Sequence, residues 1–120
     1  MDKIRLKNIT FYAHHGYYQA ERELGQKFEV DIEITTDLRE PALEDDLKKT
    51  MDYRKIFQIA KETFEEDEFH LIETIAERMA NRILKINNVQ AVRIRVRKPH
   101  VPLSGLLDYV EVEIYREQDA

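Results

Sequence analysis

Two residues of this 120-residue chain, Lys98 and Glu73, have positions that ask for a chemical explanation. Lys98 follows Val92, Ile94 and Val96 at even spacing. On an extended strand it therefore shares the apolar face, and Pro99 ends the strand there. An amine so placed has two readings. Either it snorkels past the end of the sheet into water, or it enters a partly dry pocket where its pKa can fall towards neutrality and it can carry protons. Glu73 lies in the first turn of a helix, in Leu71-Ile72-Glu73-Thr74. An acid there meets the helix dipole favourably and needs no ligand. Its carboxylate can equally accept two parallel N–H bonds from a 2-amino-pyrimidinone edge, such as a guanine-like or pterin ring presents.

The third concentration of reactive groups is the segment from Phe11 to Gln26, which gathers His14, His15, Tyr17, Tyr18, Glu21 and Glu23 between two strands. Loops on a rigid scaffold are where sites usually sit. The plainer reading is that the tyrosines cover an interface while Gly16 and Gly25 supply turn dihedrals. Adjacent histidines suggest a metal, yet only His70 and His100 remain as further imidazoles and there is no Cys. No metal ligand spacing is present, so no metal site is expected, and no role is assigned to His14, His15 or His100. Absent cysteine also removes thiolate nucleophiles and disulfides, which fits a reducing compartment. A formal net charge of −5 argues against nucleic-acid or anionic-membrane surfaces. Met1 to Tyr12 has no uninterrupted apolar run, so neither a signal peptide nor a membrane span is expected. The expectation is a cytoplasmic, soluble, single domain over 1–120.

These groups need a scaffold, and hydrophobic periodicity supplies one. Ile4 and Leu6, then Ile9 and Phe11, mark a first strand whose parity changes near Asn8, which indicates a bulge or bend. From Lys27 a second strand alternates, with Phe28, Val30, Ile32, Ile34 and Leu38 on one face and Glu29, Asp31 and Glu33 on the other. Asp52 can cap a helix with Tyr53, Ile56, Phe57, Ala60 and Phe64 as its stripe. A second helix starting near His70 or Leu71 carries Ile72, Ile75, Ala76, Met79 and Ile83. Val92, Ile94 and Val96 mark a third strand, and Val110, Val112 and Ile114 a fourth. The order ββααββ predicts an α+β fold: a four-stranded antiparallel sheet with two helices on one face.

The other face is charged in strand order: Lys3, Arg5 and Lys7, then Glu29, Asp31 and Glu33, then Arg93, Arg95 and Arg97, then Glu111 and Glu113. Basic strands meet acidic ones, so the arginines read as sheet pairing rather than nucleic-acid contacts. Two edge strands remain to be blunted or paired with another chain.

In combination these residues resemble the dihydroneopterin aldolases of folate biosynthesis, over nearly the whole chain. The resemblance rests on Phe11-Tyr12 with His15-Gly16, Glu21 with Leu24-Gly25-Gln26, and Asp52-Tyr53. It continues through Leu71-Ile72-Glu73 with Ala76-Glu77-Arg78, and Lys98-Pro99 with Pro102 and Gly105. It implies the tunnelling fold, in which subunit sheets close a ring-shaped barrel and two rings of four stack into an octamer, with the charged face in the tunnel. By the same resemblance Glu73 is the pterin anchor, assisted by backbone groups at Ile72. Glu21 and Tyr53 are substrate-binding residues, Tyr53 reaching across from the neighbouring subunit, and Lys98 is the catalytic lysine with Tyr53 as the orienting hydroxyl. Where family members often run Pro-Gly after Lys-Pro, this chain has Pro102-Leu103-Ser104-Gly105.

The implied activity is a retro-aldol cleavage of 7,8-dihydroneopterin with no cofactor, metal or Schiff base, because the substrate's own N5=C6 imine is the electron sink. A side epimerase activity goes with it. The alternatives are a dihydroneopterin or dihydroneopterin-triphosphate epimerase, and, from another class, a non-enzymatic edge-pairing oligomerisation module.

Overall fold

The computed structural model describes residues 1–13, 19, 25–66, 69–101 and 105–118. His14, His15, Gly16, Tyr17, Tyr18, Glu21, Leu24 and Pro102, on which part of the sequence reading rests, lie outside these residues. Four strands, β1 (Asp2–Ala13), β2 (Gln26–Thr36), β3 (Ala91–Lys98) and β4 (Val110–Glu117), form one antiparallel sheet in the order β1-β2-β3-β4. Between β2 and β3 come α1 (Arg39–Glu44), a 3₁₀ turn (Leu47–Lys49), α2 (Tyr53–Glu66) and α3 (Ile72–Leu84). The expected α+β architecture is present, with α2 and α3 over one face of the sheet.

The parity change in β1 is a bulge. Ile4 and Leu6 face Ile34 and Ile32, the register shifts, and Ile9 and Phe11 then face Val30 and Phe28. Asn8 absorbs the extra residue at φ 55°, a left-handed conformation that Asn tolerates better than most side chains. The bulge therefore returns the second half of β1 to the helix-covered face. Phe11 stacks on Phe64 of α2 at 4.8 Å between ring centroids, and Phe64 also meets Phe28 at 5.5 Å. Phe28, Val30, Ile32 and Ile34 of β2 are fully buried, as are Ile75, Met79 and Ile83 of α3 and Val92, Ile94 and Val96 of β3. Each large apolar side chain so covered contributes roughly 1.5–3 kcal/mol relative to exposure.

Two apolar assignments change. Leu38 is not the last core residue of β2, because the strand ends at Thr36, whose hydroxyl donates to the Asn88 carbonyl at 2.6 Å. The Asp37 carboxylate then accepts the Arg39 N–H at 2.9 Å and turns the chain into α1, which buries none of its residues. On α2 the buried arc is Ile56, Ala60, Thr63 and Phe64. Phe57 lies at its flank, 6.1 Å from the Phe11 ring, and Tyr53 in the first turn is 62% exposed.

The opposite face is an ionic lattice in the expected register, with Glu29 opposite Arg97, Asp31 opposite Arg95 and Glu33 opposite Arg93. Its least accessible part joins three strands. Arg97 donates to both oxygens of Asp31 at 2.7 and 3.0 Å and to the Asn8 side-chain carbonyl at 2.7 Å, while the Asn8 N–H donates to Asp31 at 2.8 Å. Glu33 accepts from Lys3 at 2.8 Å and from Arg5 at 2.9 Å. The Arg97 hydrogen bonds hold the Asp31 carboxyl well below the usual carboxylate range against the opposing effect of burial. The bond from Lys3, then that from Arg5, lowers Glu33 to about 2 in the same way.

Both carboxyls are depressed on folding, so their stabilisation is complete above the unfolded carboxyl pKa of about 4 and disappears as pH falls through the folded values. Chemical denaturation at stepped pH should show stability declining from about pH 4 towards pH 2, and Glu33→Gln should flatten that decline. Asp31→Ala at neutral pH should cost about 3 kcal/mol, because it removes the two-bond partner of a buried guanidinium that Glu111 and Glu29 meet only at 3.3 and 3.6 Å. An unchanged acid limb in Glu33→Gln, or a loss below about 1 kcal/mol in Asp31→Ala, would show that the lattice is decorative.

Candidate active site

The connection of residues 85–90 turns the chain back from α3 into β3, so the start of the helix and the end of the strand lie at one end of the molecule. That topology brings Glu73 and Lys98 to the same end. Lys98 is the last residue of β3, opposite Val110 of β4, and only 9% of its surface is accessible. Lys98 is thus a buried residue in register with the core.

Glu73 is exposed in the first turn of α3, whereas its neighbour Ile72 is buried. The residue that caps this helix is Leu71, extended at φ −127° and ψ 137°, and it offers no side-chain acceptor. The first turn closes with the Thr74 N–H on the Leu71 carbonyl at 3.1 Å. The N–H groups of Ile72 and Glu73 therefore have no acceptor within the helix, and among the described residues none outside it. A carboxylate acceptor beside two backbone donors complements an amidine next to a ring carbonyl. The approach to the helix is pinned by Phe69, buried beneath the Arg78 guanidinium at 4.2 Å from the ring centroid. One turn on, Glu77 pairs with Arg116 of β4 at 3.0 Å and fastens helix to sheet.

Tyr53 is not part of this cluster. Phe64, at the far end of α2, stacks on Phe11 near the close of β1. Eleven residue steps along the helix, or about 16 Å, separate it from Tyr53. Tyr53 therefore sits at the other end of the chain from Glu73 and Lys98. Its backbone is fixed by Asp52, which accepts the Arg54 N–H at 3.0 Å and the Arg54 guanidinium at 3.0 and 2.9 Å. Those Arg54 bonds lower the Asp52 pKa. Glu21, the remaining expected binding residue, lies outside the described residues.

In the sequence Arg97 reads only as one rung of a charge ladder, with nothing to connect it to the site. Its guanidinium clamps the end of β3 on the face opposite Lys98. The available signal was the parity break at Asn8, because the bulge is what aims the Asn8 side chain at Arg97. Among the described residues no cluster of three or more His, Asp or Glu side chains is arranged to hold a metal ion. No described helix is long and apolar enough to cross a membrane.

The family model described as FolB, dihydroneopterin aldolase, matches residues 4–115. A dihydroneopterin aldolase of Bacillus subtilis is 36% identical over 119 residues, covering 98% of this chain and 99% of the relative. The crystal structure of Escherichia coli dihydroneopterin aldolase in complex with neopterin superposes with a TM-score of 0.88 at 30% identity, covering 97% of this chain and 99% of that one. A Burkholderia dihydroneopterin aldolase bound to guanine gives a TM-score of 0.83 at 26% identity, covering 98% and 92% of the two chains.

The cap at Asp52 is the local device that holds Tyr53, and it can be tested without substrate. Asp52→Ala should lower stability by about 1 kcal/mol in denaturant unfolding, with Asp52→Asn recovering most of the loss because the amide oxygen still accepts an N–H. Equal losses in the two variants would assign the effect to the Arg54 ion pair instead of the cap.

Proposed function

The chain belongs to the dihydroneopterin aldolase family, and from that premise we propose how its residues divide the cleavage of 7,8-dihydroneopterin into 6-hydroxymethyl-7,8-dihydropterin and glycolaldehyde. What supports the reading is that the topology puts the uncapped start of α3, with Glu73, and the buried Lys98 at the same end of the molecule. Glu73 anchors the 2-amino-pyrimidinone edge of the pterin, with backbone N–H at Ile72 and Glu73 taking the ring carbonyl. Neopterin and guanine, held by the two related structures, share that edge, which supports the assignment.

Bond cleavage needs an acceptor for the electron pair of C1′–C2′, and the conjugated N5=C6 imine of the substrate is that acceptor. Removal of the 2′-hydroxyl proton releases C2′ and C3′ as glycolaldehyde and leaves an enamine-like pterin. Protonation at C1′ completes the product. Lys98 moves these protons, directly or through water, and Tyr53 orients the reacting hydroxyl. No metal or Schiff base is needed in this scheme. Re-addition of the aldehyde to its other face before release gives the epimer, so a side epimerase activity follows from the same intermediate.

Lys98 and Tyr53 can act together only if Tyr53 comes from another subunit, since one chain holds them at opposite ends. The sheet edges offer the means. β1 and β4 are the edge strands, each with one row of backbone N–H and C=O groups unpaired within the sheet, β1 basic through Lys3, Arg5 and Lys7 and β4 mainly acidic through Glu111, Glu113 and Glu117. Head-to-tail pairing of a basic edge with an acidic one closes a ring when the rotation permits. We take the assembly to be an octamer of two stacked four-membered rings, with Glu21 completing the pterin pocket. The working compartment on this reading is the cytoplasm.

Anchoring and chemistry should separate on mutation. Glu73→Gln should weaken neopterin binding about 10- to 100-fold in a fluorescence titration, as a charge-assisted pair is replaced by an amide whose donor opposes the ligand's N–H. Lys98→Ala should lower kcat at least about 100-fold with a much smaller change in affinity. Reversed phenotypes would exchange the two roles.

The shared pocket should show complementation. Tyr53→Ala and Glu73→Ala chains, each nearly inactive, should regain activity when co-expressed, and equal random mixing leaves about a quarter of the interfaces with both residues intact. Mixed oligomers confirmed by mass but devoid of activity would place both residues in one subunit's pocket, or in none.

A further inference from the structure

The end of the molecule that lacks Glu73 and Lys98 has a cavity of its own. It is an open cleft of about 660 Å³ between the start of α2 and the turn after α3, and its lining includes Lys48, Arg54, Lys55, Lys85, Asn87 and Asn88. Asp52 is the only acidic residue of the lining, and Arg54 neutralises it through two hydrogen bonds. Counting Lys48, Arg54, Lys55 and Lys85 against Asp52 leaves a charge of +3 in a chain whose net charge is −5.

The pairing pattern makes this concentration specific. Lys3, Arg5, Lys7, Lys27, Lys49, Arg82, Arg93, Arg95, Arg97 and Arg116 each have a carboxylate partner within 4.0 Å. Among the described residues Lys48, Lys55 and Lys85 have no carboxylate within 4.0 Å, and all three line one cavity. Asp52 meets Lys55 only at longer range and is already bonded to Arg54, so the cluster keeps an excess of positive charge. Lys55 also stands in the first turn of α2, where the helix dipole disfavours a cation. The carboxamides of Asn87 and Asn88 add neutral donors, and Asn88 is held at φ 73°.

We propose that this cavity is a binding site for a polyphosphate group. Its volume falls in the range that encloses a whole small ligand rather than a lone phosphate. Lysines on flexible stems suit a chain of phosphates, each meeting one as a point charge. The site is distinct from the Glu73–Lys98 cluster of the same chain; its lining residues Asp52 and Arg54 flank Tyr53, so a pterin source rests on the reading that Tyr53 reaches into a neighbouring pocket. Two sources share the chemistry: a free nucleotide or inorganic polyphosphate, and the phosphorylated side chain of a pterin seated in an adjoining subunit.

Isothermal titration of the intact oligomer with inorganic tripolyphosphate at low salt tests the site. One equivalent should bind per chain, with affinity falling as salt rises. Lys48→Ala/Lys55→Ala/Lys85→Ala should bind at least about tenfold more weakly, while Lys61→Ala, which removes an exposed lysine outside the cavity, should bind like the wild type. These are exposed side chains, and an unchanged circular dichroism spectrum confirms that the triple variant is folded. Displacement of tripolyphosphate by 7,8-dihydroneopterin triphosphate but not by ATP assigns the phosphates to a pterin side chain; displacement by ATP assigns them to a free nucleotide. Absent binding, or equal affinity in the triple variant and the wild type, would overturn the proposal.

Discussion

Arg97 and Lys98 are neighbours in sequence and face opposite sides of the sheet, and that alternation is the constraint the rest of the molecule serves. On one side Arg97 is held by Asp31 and Asn8; on the other Lys98 continues the apolar line of Val92, Ile94 and Val96. A slip of one residue would send the amine into the ionic lattice and the guanidinium into the core, so the two placements enforce each other. A buried ion pair is weak evidence for stability taken alone. Here its geometric consequence matters more: it fixes the register at the strand end from which Lys98 projects.

The same economy explains Asn8. Without the extra residue, Ile9 and Phe11 would stand on the charged face, and Phe11 could not stack on Phe64. With it, β1 bends onto the helices and the Asn8 amide and carbonyl become partners for Asp31 and Arg97. One left-handed residue thus joins the aromatic cluster under α2 to the ionic cluster behind Lys98, although the two lie on different faces.

Much of this was legible in the sequence because strict alternation leaves few arrangements open. The period-two runs of β2, β3 and β4 gave their faces and the charge ladder, and the three-four spacing of α3 gave its buried stripe. The cap at Asp52 was visible from residue type. Less visible was anything decided by where one element stops against another. Leu38 has the parity of β2, yet Asp37 turns the chain before it can pair. Tyr53 and Phe57 have helical spacing suited to a core, but coverage by the sheet is centred on Ile56, Ala60 and Thr63. Helix α1 buries nothing, so it left no hydrophobic signature to find. Of the site, Lys98 stood out by parity. Glu73 gained its meaning only from the uncapped helix start, because Leu71 in the sequence does not announce unspent N–H groups.

The central pair of the sheet joins segments far apart in the chain, since Asp31 and Arg97 are 66 residues apart. During synthesis β1 and β2 emerge first, as a two-stranded ribbon whose inner edge waits for β3 to be made. A two-stranded ribbon is marginal by itself, and its open edge with Phe28, Val30, Ile32 and Ile34 uncovered invites pairing with other nascent chains. The negative charges of Glu29, Asp31 and Glu33 alternate with those apolar residues and remain only partly compensated until Arg93, Arg95 and Arg97 arrive. The stripe that ends as half of an ionic lattice thus guards the unfinished sheet by repulsion, and the guard is withdrawn by the strand whose arrival makes it unnecessary.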